Sequence, residues 1–311
     1  MSGPAVRVTV GGHELSLTNL EKVLYPSIGF TKREVLRYYA MVAPALLPHV
    51  FGRALTLKRY PDGVEGKFFF EKNVPKSAPS WVHRVKVPSA ASRRGTGVVE
   101  YPVICDVATL TWIANLASLE LHVPLWRAGR GESPRPPDLM VFDLDPGPGT
   151  TIVECCAVAQ RLAPLLEHEG LQVYPKTSGS KGLQLYVPVR SWSWEKMSGF
   201  AHDLAREVEA QDPSKVVSKM TKSLREGKVL IDWSQNSPSK TTVAAYSLRA
   251  CARPTVSTPI EWSDVDACVD KGEPDLLVFE ANEVIERVEH YGDLFAPLLP
   301  ASQDTRARSA S

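Results

Sequence analysis

The run Leu139-Met140-Val141-Phe142-Asp143-Leu144-Asp145-Pro146-Gly147 sets two acids at alternate positions directly after four apolar residues. Such a run reads as a buried strand, broken at once by Pro-Gly. Residues two apart on a strand face the same way, so Asp143 and Asp145 project together from its end. Two neighbouring carboxylates repel each other and are costly to bury unpaired. A hard divalent cation removes that cost, because Mg²⁺ and Mn²⁺ favour carboxylate oxygen. Acids capping a solvated turn are the alternative, and this motif alone leaves both readings open.

Asp232 closes a second apolar run, Val229-Leu230-Ile231-Asp232-Trp233. By itself it reads as a strand-end acid facing water. Set beside the first strand, it completes a three-carboxylate, two-metal site for in-line phosphoryl transfer. Thr177-Ser178-Gly179-Ser180-Lys181-Gly182 joins two further strands. Its small residues, N–H groups, hydroxyls and Lys181 suit oxyanions. The spacing is not that of a Walker A loop, and a strand follows rather than a helix. Alone this is a hairpin turn; facing three carboxylates it becomes a triphosphate cradle.

Two further stretches pair cations with other chemistry. Lys58-Arg59-Tyr60-Pro61-Asp62-Gly63 leads into Phe68-Phe69-Phe70-Glu71-Lys72-Asn73. Strand alternation sends at least one of these rings toward solvent unless another layer covers it, and rings among cations can stack on bases. A core strand with charged turns is the plainer reading. Lys215, Lys219, Lys222, Arg225 and Lys228 then bring positive charge just ahead of the Asp232 strand, against one acid, Glu226. Gln235, Lys240 and Arg249 follow as groups suited to phosphate.

The elements that must position these groups can be read from periodicity. Val6 to Leu17 predicts a hairpin about Gly11-Gly12. Thr31 with Glu34 is a capping box, and Val35, Tyr38, Tyr39 and Val42 give the next helix an apolar face. Residues 53–70 read as strand-rich, residues 90–97 as a polar loop carrying Arg93 and Arg94, and residues 106–122 as one helix. Residues 127–137 read as an exposed loop. After the acidic strand, Thr151 with Glu154 caps a helix to about His168, which Gly170 ends. Residues 171–177 and 183–189 read as strands, 194–210 as a helix and 228–233 as a strand. The order from residue 139 is that of a split βαβ sheet of ferredoxin-like or RNA-recognition-motif type, so the fold class is α+β.

At 311 residues the chain can bury a sizeable core. Its net charge of +1 gives no global argument for nucleic acid, which must rest on local patches. The five cysteines show no zinc spacing and suit a reducing cytosol. No signal peptide or membrane-length apolar run is evident, so no membrane role is expected.

Together these segments resemble the polymerase domain of bacterial DNA ligase D, within the archaeo-eukaryotic primase superfamily. The resemblance rests on "LTNLEKVLYP", "KRYPDGVEGKFFFEKN", "LELHVPLW", "VFDLDPGPGT", "TSGSKGLQLYVPV", "MTKSLREGKVLIDWSQN" and "KTTVAAYSLR", in order from Leu17 to Arg249. It implies a primase-like fold in which an RRM-like catalytic sheet packs with an N-terminal α/β module. The implied limits are a flexible lead at 1–5, a domain at 6–298 divided into modules 6–137 and 138–298, and a disordered tail at 299–311.

The resemblance further implies a template-directed polymerase that adds rNTPs or dNTPs to a primer 3′-OH, filling gaps in DNA repair or non-homologous end joining. Two Mn²⁺ or Mg²⁺ ions would be held by Asp143, Asp145 and Asp232. His122, Ser178, Lys181, Gln184, Gln235 and Arg249 fall on nucleotide-binding positions. Lys22 and Lys32 fall on positions for the 5′-phosphate of a gapped or broken end. Lys58, Arg59, Phe69, Phe70, Lys72 and Arg225 fall on the template and DNA side. The family's turn motif usually reads Gly-Leu-His, and this chain has Gln184 at the His position. Gln can donate a hydrogen bond but cannot be charged, which puts nucleotide affinity or sugar preference in question. With no ligase or nuclease part, the chain resembles stand-alone relatives. That implies a Ku-like protein and a separate ATP-dependent ligase as partners, in the bacterial cytoplasm at the nucleoid.

Two rival functions remain. A haloacid-dehalogenase-type phosphatase also ends an apolar strand in DxD, but it wants Thr or Val where Gly147 stands, and a later acidic pair. A non-catalytic nucleic-acid-binding module of the same fold would gain nothing from three carboxylates that repel phosphate.

Overall fold

The computed structural model describes residues 5–88, 97–129 and 134–300. The expected lead, the Arg93/Arg94 loop and the tail fall almost wholly outside these residues. The first half is built by short local signals. Strands β1 (Val6–Val10) and β2 (His13–Leu17) form the expected hairpin, with Gly11 and Gly12 both at positive φ. Strands β3 (Val23–Tyr25) and β4 (Phe30–Thr31) pair and deliver helix α1 (Lys32–Val50). Thr31 and Glu34 close the capping box, and Val35, Tyr38, Tyr39 and Val42 are buried.

Strands β5 (Thr56–Arg59) and β6 (Phe69–Glu71) are shorter than the strand-rich stretch expected over 53–70. The chain between them turns at Gly63, whose φ is +82° and whose missing Cβ lets it lie against the Leu24 carbonyl. Strands β7 (Arg84–Pro88) and β8 (Val98–Pro102) form a separate ribbon. The helix expected over 106–122 is corrected by the structure. Helix α2 spans only Val107–Asn115, and strand β9 runs Ser118–Val123. Ala117, at φ +56°, breaks the helix. Both faces of β9 lie largely buried, so its apolar residues mimic a continuation of the helical stripe.

The second half follows the split βαβ order. Strand β10 (Leu139–Pro146) is followed by α3 (Ile152–His168), β11 (Tyr174–Thr177), β12 (Leu183–Pro188), α4 (Trp194–Gln211), β13 (Val216–Val217) and β14 (Val229–Asp232). Strand β15 (Thr242–Val243) and helices α5 (Trp262–Lys271) and α6 (Ala281–Tyr291) complete the chain. One sheet has the order β11-β12-β10-β14-β13, antiparallel except for the added β13. A second has the order β15-β9-β5-β6. The acids lie near the end of β10, whose ladder with β12 stops at Leu144 while that with β14 continues through Pro146.

Helices α3 and α4 pack on the five-stranded sheet. The Cys155 thiol on α3 donates to the Leu144 carbonyl of β10 at 3.4 Å. Phe142 and Leu144 are fully buried, while Asp143 and Asp145 alternate with them on the other face. One contiguous apolar core runs through both sheets and their helices. Among the described residues, no helix is long and apolar enough to cross a membrane.

Candidate active site

Strand register assembles the acids. Asp143 pairs directly with Asp232 across β10 and β14, and Asp145 follows two residues on. One carboxylate oxygen from each lies within 4.8 Å of the others. Burial first, then the Asp145 charge, pushes the Asp143 carboxyl up. Burial and the Asp232 charge push Asp145 up as well. Three carboxylates gathered this closely are a hard oxygen donor set that fits Mg²⁺ or Mn²⁺.

Both glutamines expected at the nucleotide donate to these acids. Gln184 Nε2 donates to Asp143 Oδ1 at 2.9 Å, and Gln235 Nε2 donates to Asp232 Oδ2 at 2.9 Å. Ser234 adds its backbone N–H at 3.0 Å and its hydroxyl at 2.6 Å to Asp232 Oδ1. Asn236, buried, donates to the Val141 carbonyl at 2.7 Å and accepts from Val141 N at 2.9 Å. It continues the edge of β10 after β14 has ended, so its role is structural.

The second sheet supplies the facing wall. Glu120 on β9 is 2% exposed and gathers three of the expected site residues. Its carboxylate meets Lys58 Nζ at 3.1 Å, His122 Nε2 at 2.9 Å and Arg249 Nε at 3.6 Å. Burial raises the Glu120 pKa, but the His122 hydrogen bond and the charges of Arg249, His122 and Lys58 outweigh it and hold it at about 2. Burial lowers the His122 pKa, and its Glu120 bond only partly offsets this. Sequence reasoning missed Glu120 because β9 reads as helix; the signal that could have found it is a lone acid in the apolar alternation Leu119-Glu120-Leu121.

Three tyrosines fix the segment bearing Arg249. Tyr25 donates to the Arg249 carbonyl at 2.9 Å and Tyr38 to the Tyr246 carbonyl at 2.8 Å, while Tyr39 accepts from Leu248 N at 3.2 Å and donates to the Leu119 carbonyl at 2.7 Å. Arg249 Nη1 in turn donates to the Ser178 carbonyl at 2.8 Å, joining this wall to the β11–β12 turn. Within that turn, the Ser178 hydroxyl accepts from Ser180 N at 3.2 Å and Gly182 N at 3.1 Å. Those N–H groups are therefore engaged internally. Gly182 lies against the Leu144 carbonyl, where a Cβ would come within 2.3 Å. Lys181 is exposed and lines a cavity of about 580 Å³ with Gly147, Thr151 and Phe279.

On the remaining side, Phe69 and Phe70 are 43% and 53% exposed. Arg59 lies over the Phe69 ring at 5.1 Å, and Lys58 lies over the Phe68 ring at 4.7 Å. Phe70 meets His122 edge-on at 6.1 Å, which brings it to the same wall. Lys72 is exposed just past β6. Lys22 is exposed and paired with Asp62 at 2.8 Å. Lys32 is more enclosed than its expected contact with DNA suggests: it is 5% exposed and donates to the Thr18 carbonyl at 2.7 Å. Burial, then the charges of Arg59 and Lys22, lower its pKa to about 8. Arg225 donates to the Met220 carbonyl at 2.6 Å, and its charge opposes the upward shift of Asp145.

Comparison with known proteins follows the same outline. Residues 31–295 match the family model described as "LigD, primase-polymerase domain". The chain is 44% identical over 283 residues to the multifunctional non-homologous end joining protein LigD of Mycolicibacterium smegmatis, covering 91% of this chain and 36% of that protein. It is 30% identical over 293 residues to the bifunctional LigD of Bacillus subtilis, covering 94% of this chain and 45% of that protein. The chain thus spans less than half the length of these curated relatives. Among solved structures, the polymerase domain from Mycobacterium tuberculosis Ligase D in complex with DNA matches with a TM-score of 0.84 at 44% identity, covering 92% of this chain and 99% of that one.

Proposed function

The chain belongs to the LigD primase-polymerase family and has its α+β fold, and from that premise we propose that it extends a DNA primer by template-directed addition of rNTPs or dNTPs. The setting is gap filling at broken or gapped DNA during non-homologous end joining. The observation that carries the reading is the register pair Asp143–Asp232, with Asp145 beside it, set across from the wall of Lys58, His122 and Arg249.

Asp143, Asp145 and Asp232 would hold two divalent ions, which would supply primer-hydroxyl activation and neutralisation of the triphosphate. Gln184 and Gln235 hold the carboxylates in place by donating to them. Arg249, His122, Ser178 and Lys181 engage the incoming nucleotide. Phe69 and Phe70 stack on the template side while Lys58, Arg59, Lys72 and Arg225 hold backbone phosphate. Lys22 and Lys32, with Arg59 near enough to depress Lys32, form a cation group suited to a 5′-phosphate. The wider setting is the bacterial cytoplasm at the nucleoid, with a Ku-like protein and a DNA ligase as partners.

The test is primer extension on gapped DNA with Mn²⁺ and either rNTPs or dNTPs. Wild type should add templated nucleotides, and Asp143→Ala should fall to background while binding DNA. Absence of extension by wild type, with DNA binding intact, would instead identify a binding module.

A further inference from the structure

We propose that Lys176, a fully buried residue outside the acidic site, is a positioning residue for the metal ligand Asp143 and acts through Gln184. The proposal rests on the reading that the aspartates hold divalent cations. The starting observation is a row of directly paired residues across four strands. Lys176 on β11 pairs with Gln184 on β12, Gln184 with Asp143 on β10, and Asp143 with Asp232 on β14. Directly paired residues share one face of a sheet, so these side chains stand in a line.

The hydrogen bonds run along that line. Lys176 is 0% exposed, and its Nζ donates to Gln184 Oε1 at 2.6 Å and to Ser257 Oγ at 2.5 Å. Ser257 spends its own proton on the Thr177 carbonyl at 2.9 Å, so it can only accept from Lys176. Lys176 has an N–H for each partner whether charged or neutral. Gln184 is 3% exposed, and its far end donates to Asp143 Oδ1 at 2.9 Å. An amide between a donor and a carboxylate has one satisfied orientation, oxygen toward Lys176 and nitrogen toward Asp143. Lys176 thereby fixes which end of Gln184 meets the acid and holds Asp143 Oδ1. Such outer partners of metal ligands tune metal affinity by roughly ten- to hundredfold.

The same logic says which other side chain could serve at position 184. A neutral imidazole also offers one acceptor and one donor: one ring nitrogen can accept from Lys176 while the other N–H serves Asp143. Gln184 and His are then interchangeable at this position because Lys176 demands an acceptor and Asp143 a donor. Charge is not required.

The experiment is Mn²⁺ titration of the full chain without nucleotide or DNA, followed by isothermal calorimetry or by the free-Mn²⁺ electron paramagnetic resonance signal. Thermal melts establish that each variant is folded. Wild type should bind and Asp143→Ala should not; if those two behave alike, the metal-site reading itself fails. Given that difference, Gln184→Leu and Lys176→Met should each weaken Mn²⁺ binding by about tenfold. Gln184→His should stay within about twofold of wild type. Lys176→Met in the Gln184→Leu background should cost nothing further. Wild-type affinity in folded Lys176→Met, or losses that multiply in the double variant, would overturn the proposal. Should Lys176→Met not fold, the two Gln184 variants decide: Gln184→His binding no better than Gln184→Leu overturns it.

Discussion

At the scale of single residues, the site is organised by groups that touch no expected substrate. Glu120 is the clearest case, one buried carboxylate serving Lys58, His122 and Arg249. Removing its charge leaves cations gathered without a counter-ion, so Glu120→Gln should destabilise the protein by on the order of 2 kcal/mol at neutral pH. The sign of its pH dependence follows from a folded pKa of about 2, below the ordinary value of about 4.3. A depressed carboxyl stabilises the fold above its unfolded pKa and loses that contribution as pH falls through the folded one. Urea unfolding from pH 7 to pH 2 should therefore show the gap between wild type and Glu120→Gln closing below about pH 5. A gap that stays constant across that range would mean that the carboxyl is not held down by its partners.

At the scale of elements, the acidic strand depends on how closely its neighbours approach. Gly147 follows β10 where the basic segment crosses it, donating to the Lys228 carbonyl at 2.9 Å, and Gly227 donates back to the Pro148 carbonyl at 2.8 Å. A Cβ at Gly147 would lie 1.8 Å from the Arg225 carbonyl oxygen. This is backbone against backbone, which no rotamer relieves. Gly147→Ala should therefore push the Arg225 segment away from Asp145, costing roughly 1–3 kcal/mol of stability and at least tenfold in templated extension. Unchanged extension at an unchanged melting temperature would show that this apposition is dispensable. The capping boxes of α1 and α3 illustrate the opposite case, local devices that form as their Thr-to-Glu spacing predicts.

At the scale of the whole molecule, the two sheets must be held so that Glu120's wall faces the aspartates. Arg53 is 1% exposed and spans that junction. Its guanidinium forms a two-pronged contact with Asp138, both prongs at 2.8 Å, and also donates to the Pro124 carbonyl at 3.1 Å and the His49 carbonyl at 3.0 Å. It thus links the end of α1 and the exit of β9 to the entrance of β10. Burial raises the Asp138 pKa, but Arg53 and Arg127 outweigh it and hold it down. Arg53→Met leaves Asp138 to Arg127 alone and removes the donor from the Pro124 and His49 carbonyls, so it should cost about 2–3 kcal/mol and should lower the denaturation midpoint of the whole chain in one cooperative step. Loss of less than about 1 kcal/mol would place the junction's strength elsewhere.

The sequence by itself determined the acid-bearing strands, the order of elements after residue 139, the helix caps and the family. All of these rest on local spacing: period two for strands, Thr-to-Glu caps, and motifs of consecutive residues. It misread β9 as helix, because a strand buried on both faces has no alternation to betray it. Nor does local spacing reveal that Gln184 and Gln235 each donate to a carboxylate. Neither Glu120 nor Lys176 receives a role from the sequence, since a charged residue in an apolar strand takes its meaning from its partners. Those partners lie far along the chain: Lys58 and Arg249 for Glu120, Ser257 for Lys176. Only the tertiary structure decided that the row from Lys176 to Asp232 forms one line, because strand register is set by packing between segments distant in sequence.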